Sequence, residues 1–397
     1  MNLPKAKEYL HVRVQDTDVV WLAGANRFLQ FKEPAYYVFE AWTRNIAPEC
    51  IATDCSSRYD LPPKEAARFV REILGQLDRL VEQRARSMEH GAPASSYATV
   101  GEGRRANDTG LSAPFSIRIC RLNNKIIIFQ YGDHSLEAVF RPLFRQFEIK
   151  KEEETQVKDF GETITVFREN NRYYLRINQQ SEQSFPDKDF EHFHGAVYME
   201  LLQILHGKMS CNWMGIFHAS AVTDGKKALL FVAASGSGKS TLAALMMANG
   251  YRLVSDDFVP VALASPEVYP FPTAISVKRN ARALLKTYFP SLGGEIPAKE
   301  RYHRESFLPL AQESHELQPV PAAAILFVSY DPRVEYRLTK ESNLIMMNEL
   351  LKQSWIPGNS SSAGGFLKWY FHTPVYQLTY SDVQKAISGL SYLLAEK

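Results

Sequence analysis

Lys227-Ala-Leu-Leu-Phe-Val-Ala-Ala-Ser-Gly-Ser-Gly-Lys-Ser-Thr241, continued by LAALMMANG to Gly250, joins an apolar run, a glycine-serine turn and a helix-forming stretch. ALLFVA has the unbroken apolarity of a buried strand, and KSTLAALMMANG reads as a helix closed by Gly250. A loop between them can turn backbone N–H groups inward at Gly236 and Gly238. The helix N-terminus there carries partial positive charge, which favours phosphate oxygens. Lys239 is then expected at the β- and γ-phosphates and the Ser240 hydroxyl at a magnesium ion. The expected nucleotide-binding loop is Ser235, Gly236, Ser237, Gly238, Lys239, Ser240 and Thr241. Ala233 stands where the usual GxxxxGK[ST] pattern has its first glycine.

Downstream, Tyr251-Arg-Leu-Val-Ser-Asp-Asp257 is a second apolar strand that ends in two acids. A short helix and a returning strand would bring Asp256 and Asp257 back to the phosphates. One acid could then hold a metal ion while the other takes a proton from an attacking hydroxyl. The plainer alternative is a solvated turn. Upstream, His218 lies in GIFHASAVTDGKKALLF, before the hairpin that feeds the loop strand; it is either a core histidine or a site residue.

Beyond this segment, 397 residues suggest two or three domains with ample core. Apolar residues make up 45 % and charged residues 23 %, which excludes a disordered or fibrous chain. Lys+Arg 46 against Asp+Glu 44 leaves a formal charge of +2, too balanced to draw the chain to nucleic acid or an anionic membrane. Four cysteines without CxxC pairing suggest neither a disulfide framework nor zinc. The N-terminal stretch lacks an apolar signal-like core, and no apolar run approaches the ~18 residues of a membrane span, so a cytoplasmic location is expected.

Residues 1–86 predict three strands (LHVRVQ, DVVWLAG, RFLQF) and three helices opening at Pro34, Pro48 and Pro62-Pro63, a winged-helix-like α+β module. Residues 87–113 read as a linker. Residues 114–206 hold two hairpin signals, at Asn123-Asn124 and Glu169-Asn170-Asn171, an apolar helical segment, and a helix over 188–206. They are expected to be an accessory region beside a nucleotide-binding core over 207–397. Pro357-Gly-Asn-Ser-Ser-Ser-Ala-Gly-Gly-Phe366 reads either as a mobile lid or as an exposed loop.

His218-Ala-Ser-Ala-Val, Ser235 to Thr241 and Gly250-Tyr-Arg-Leu-Val-Ser-Asp-Asp257 together resemble the HPr kinase/phosphorylase group, which shares a P-loop fold with phosphoenolpyruvate carboxykinase. The match covers roughly residues 210–280, and HTPVYQLTY at 372–380 is also in character. The resemblance implies an α/β P-loop catalytic domain that uses ATP and Mg²⁺. It casts Asp257 as the base for a serine hydroxyl, Asp256 and Ser240 as metal partners, Lys239 at the triphosphate and His218 as an auxiliary. The family's later Glu-Ile-Arg-Gly-Leu-Gly type stretch is replaced by PFPTAISVKRNARALL, which argues against HPr itself as substrate and against reverse phosphorolysis. Lys278 and Arg279 there either neutralise the γ-phosphate or open a solvated helix.

The N-terminal module resembles the PqqD-like precursor-peptide recognition domains, through its strand and helix order and the phrase RFLQFKEPAYYVFEAW. The resemblance implies an extended leader peptide added as a strand at Phe28, Leu29 and Phe31. A DNA-binding winged helix is the alternative. Asp16, Asp18, Glu33, Glu40 and Glu49 and the lack of a basic recognition helix oppose it. The expectation is therefore a magnesium-ATP-dependent kinase that phosphorylates a serine-type hydroxyl of a ribosomally made precursor peptide. A small-molecule kinase and a regulatory ATP-binding protein without transfer are the alternatives. A homo-oligomer is expected only by analogy with relatives of the fold.

Overall fold

A computed structural model describes residues 7–89, 114–150, 153, 161–178, 180–234, 236–293, 305–309 and 318–395. The chain divides into two compact units. Met1–Ser95 with Ile356–Lys368 form one, and Ser96–Trp355 with Trp369–Lys397 form the other.

In the first unit, β1 (Tyr9–Val14), β2 (Thr17–Leu22) and β3 (Arg27–Phe31) make an antiparallel meander in that order. It is followed by α1 (Ala35–Thr43), α2 (Pro48–Arg58) and α3 (Pro63–Glu89). Proline opens α2 and α3, where a missing N–H costs nothing. The α3 helix runs to Glu89, past the expected boundary at 86, and residues 90–113 of the expected linker lie outside the described residues. Every residue of β2 is buried. Val20 and Leu22 face Phe39 and Leu77 of the helices, while Trp21 packs with Ala363 on the other face.

That second cover corrects the reading of Pro357–Phe366. From Ser360 the chain is helical, neither lid nor exposed loop, and Ala363 and Phe366 are both 0 % exposed. The Asn359 carboxamide oxygen accepts from the Ser362 N–H at 2.8 Å, which caps the first turn. Phe366 meets Phe28 edge-on at 5.1 Å. Burial of these side chains overrides the loop-like glycine and serine content.

The second unit is mixed α/β. A five-stranded sheet runs in the order β4 (Ser116–Leu122), β5 (Lys125–Tyr131), β6 (Glu162–Glu169), β7 (Arg172–Ile177), β8 (Ser181–Pro186). Its first hairpin turns at Asn123-Asn124 and its second at Asn170-Asn171, all with positive φ, the turn geometry that asparagine tolerates. The parallel step from β5 to β6 passes through α4 (His134–Phe144), and α5 (Phe190–His206) follows the sheet.

A ten-stranded sheet then forms from β9 (Trp213–Phe217), β10 (Ala219–Thr223), β11 (Ala228–Val232), β12 (Arg252–Asp256), β13 (Val259–Ala262), β14 (Glu267–Val268), β17 (Val320–Tyr330), β18 (Tyr336–Lys340), β19 (Ser354–Trp355) and β20 (Val375–Tyr380). A separate two-stranded pair, β15 (Ile275–Lys278) and β16 (Glu305–Leu308), lies outside it. The helices from residue 239 onward are α6 (Lys239–Ala248), α7 (Arg279–Tyr288), α8 (Asn343–Lys352), α9 (Ser360–His372), of which Ser360–Lys368 belongs to the first unit, and α10 (Val383–Ala395).

Strands β11, β17 and β20 are parallel neighbours, so their C-terminal ends share one edge. One continuous core joins the five-stranded sheet to the large one: Phe129, Phe144 and Phe193 belong to the same cluster as Phe231, Leu242 and Trp355. The described residues of 114–206 thus share their core with those of 207–397. No helix among the described residues is long and apolar enough to cross a membrane.

Candidate functional site

The residues from His218 to Asp257 converge because of strand direction. β10 runs antiparallel to both β11 and β12, with Ala219 opposite Val232 and Ser220 opposite Asp256. The start of β10 and the ends of β11 and β12 therefore lie together, beside the glycine loop that leads into α6. Gly238, at φ +103°, immediately precedes α6, a conformation that L side chains rarely adopt. Asp257 also sits at positive φ, +63°, without being glycine, a backbone state that persists only where its surroundings hold it.

The two adjacent acids occupy opposite environments. Asp256 is 4 % exposed, and its Oδ1 accepts from the Ser240 hydroxyl at 3.0 Å and also from the Ser220 hydroxyl. Burial, reinforced by the charge of Asp257, holds its carboxyl well above the usual carboxylate range. Asp257 is open to the cavity; its Oδ1 lies 2.5 Å from Lys239 Nζ and 3.8 Å from His218 Nε2. The Lys239 contact is a charge pair without hydrogen-bond alignment.

His218 closes the cluster. Its Nδ1 lies 3.2 Å from the Asp257 carbonyl oxygen and its Nε2 3.3 Å from Lys239 Nζ. Both contacts are satisfied at once by a neutral ring that donates from Nδ1–H and accepts at Nε2 from the ammonium. Burial, aided by the Lys239 charge, lowers its proton affinity and favours that form.

These groups line a cavity of about 590 Å³ with the glycine loop, β15, α7 and the ends of β17 and β20. Of the residues expected from sequence, His218, Gly236, Gly238, Lys239, Ser240, Thr241, Asp257 and Lys278 line it. Asp256 stands behind Ser240; Ser237 and Arg279 are outside the lining, and Ser235 lies outside the described residues. Phe28, Leu29 and Phe31 belong to the other unit. There Leu29 and Phe31 pack against the helix-covered core, and Phe28 packs with Trp21 and Phe366. β3 pairs with β2 and with no further strand among the described residues.

Sequence reasoning missed Ser220, Ser276, Asn280, Tyr330, Tyr380 and Ser381. For the tyrosines a signal was present: AAAILFVSY and PVYQLTY are apolar strands that end in Tyr330 and Tyr380, and ligands gather at such ends in parallel sheets.

Among the described residues no three His, Cys, Asp or Glu side chains gather as a metal site. One carboxylate joined to one hydroxyl, Asp256 and Ser240, is nonetheless a donor set that suits Mg²⁺, which takes one or two carboxylates and completes its shell with substrate phosphates and water. The chain matches no protein-family model, and comparison with curated proteins finds no match.

Proposed function

We propose that the protein is a Mg²⁺-dependent nucleoside-triphosphate phosphotransferase that delivers the γ-phosphoryl group to a hydroxyl of serine type. The observation that carries this reading is the Lys239–Asp257–His218 cluster, set beside a glycine loop at the mouth of one cavity. Lys239 now neutralises Asp257. When a triphosphate enters the glycine loop, the ammonium turns to its oxygens and leaves Asp257 unpaired as a base for the acceptor hydroxyl. Neutral His218 holds the Asp257 backbone through Nδ1–H and keeps a place for the lysine. Asp256 and Ser240 would hold the magnesium ion, which supplies charge neutralisation at the phosphates. Lys278, which lines the same cavity, adds positive charge.

The acceptor is a ribosomally made precursor peptide whose leader segment adds to the edge of β3 that no described strand pairs. Leu29 and Phe31 are occupied within their own core, so the main chain of β3 provides the affinity. The deciding experiment mixes the protein with γ-labelled ATP, Mg²⁺ and a precursor peptide encoded beside its gene. Label on a peptide hydroxyl, suppressed by excess unreactive leader segment, supports the reading. Label on a small-molecule hydroxyl without any peptide would give a small-molecule kinase, and label released only as free phosphate would remove the acceptor assignment.

A further inference from the structure

Tyr330 is a large aromatic residue, 56 % exposed, at the very end of a mostly apolar strand. An isolated exposed ring needs no explanation, but this one lines the same cavity as Lys239 and Ser240. Two neighbours set its position. The ring stands edge-on to Tyr380 at 6.0 Å and 86°, and Tyr380 itself is only 2 % exposed. A Cβ placed on Gly238 would lie 3.8 Å from the Tyr380 hydroxyl and 4.0 Å from Tyr330 Cβ, so the tyrosine pair flanks the loop that holds the phosphates. Thr241, Ser381 and Val383 line the same cavity.

We infer that Tyr330 is the platform on which the base of the nucleotide stacks. The inference rests on the proposed nucleotide site and extends it to the half that the glycine loop leaves unassigned. A half-exposed ring set edge-on to a buried tyrosine and lining the cavity offers π-contact to any base, and Val383 adds an apolar group to the same lining. Wide tolerance among nucleoside triphosphates follows, because stacking reads the face of a base rather than its hydrogen-bonding edge.

The test is calorimetric binding of ATP and of inorganic tripolyphosphate, both with Mg²⁺, to the full chain. Tripolyphosphate reports the glycine loop alone. Tyr330→Ala is expected to weaken ATP about ten- to hundredfold, to leave tripolyphosphate unchanged, and to be rescued by Tyr330→Phe. Equal weakening of both ligands, or no weakening of ATP, would overturn the platform while leaving the loop as a phosphate site. Failure of the unaltered protein to bind either ligand would overturn the nucleotide reading and the platform with it.

Discussion

The glycine-loop edge of the large sheet and the three-stranded sheet of the N-terminal unit are built from similar short apolar strands but assembled in opposite ways. The first draws its chemistry from one run, His218 to Asp257, in which neighbouring strands bring the groups together. The second is complete only with residues 356–368, from the far end of the sequence. A site built locally can lose its chemistry without losing its fold, whereas a sheet covered by a distant segment loses fold when that segment fails.

The largest effect should come from the local site. Asp257→Asn and Lys239→Ala are each expected to cut phosphoryl transfer by about 10²–10⁴-fold, with the unfolding midpoint nearly unchanged. Unchanged turnover in Asp257→Asn would remove its role as base, and a collapse of stability would erase the contrast between the regions. In the N-terminal unit, Phe366→Ala should cost about 3–5 kcal/mol, read in denaturant melts, with amide exchange accelerated in β2 and β3. Protection confined to its former level there would show that the far segment is dispensable.

Acid supplies a third test, which concerns the second unit alone. His194 is stacked against Phe140 and Phe190 and tilted over Tyr198, and burial lowers its pKa to about 4 from the ordinary 6.5. A histidine depressed in the fold contributes stability above its unfolded value and loses it as pH falls toward the folded one. Wild type should therefore lose at most about 3 kcal/mol relative to His194→Phe between pH 6.5 and 4, seen as a melting-temperature difference that moves against wild type as pH falls. Parallel curves would refute it. The smallest effect is expected at Ser220→Ala, which strips one donor from Asp256. The magnesium concentration for half-maximal activity should rise about tenfold while kcat at saturating metal changes little.

The same contrast explains what could be read in the sequence. ALLFVA, the glycine loop, the helix behind it and the two acids are contiguous, and local chemistry alone places them on one sheet edge. Nothing local says that Asp256 would be fully buried and Asp257 only half-buried. That split depends on the register that sets Ser220 against Asp256 and on the turn that gives Asp257 positive φ. The hairpin asparagines were legible because tolerance of positive φ belongs to the residue type itself. The helix at Ser360–His372 was not, because its glycines and serines argue for a loop until Trp21 is known to need a cover. A trace of that need exists in Val19-Val-Trp-Leu-Ala23, an unbroken apolar run that calls for burial on both faces.

The borrowed segment has a consequence for how such chains can be recombined. A cassette cut near residue 95 carries the three strands and three helices of the first unit but leaves Ala363 and Phe366 behind, so the transplanted sheet would arrive with Trp21 bare and a tendency to aggregate. Exchanging this unit between chains requires two separated gene segments to move together, and specificity carried by the unit would be inherited as that pair.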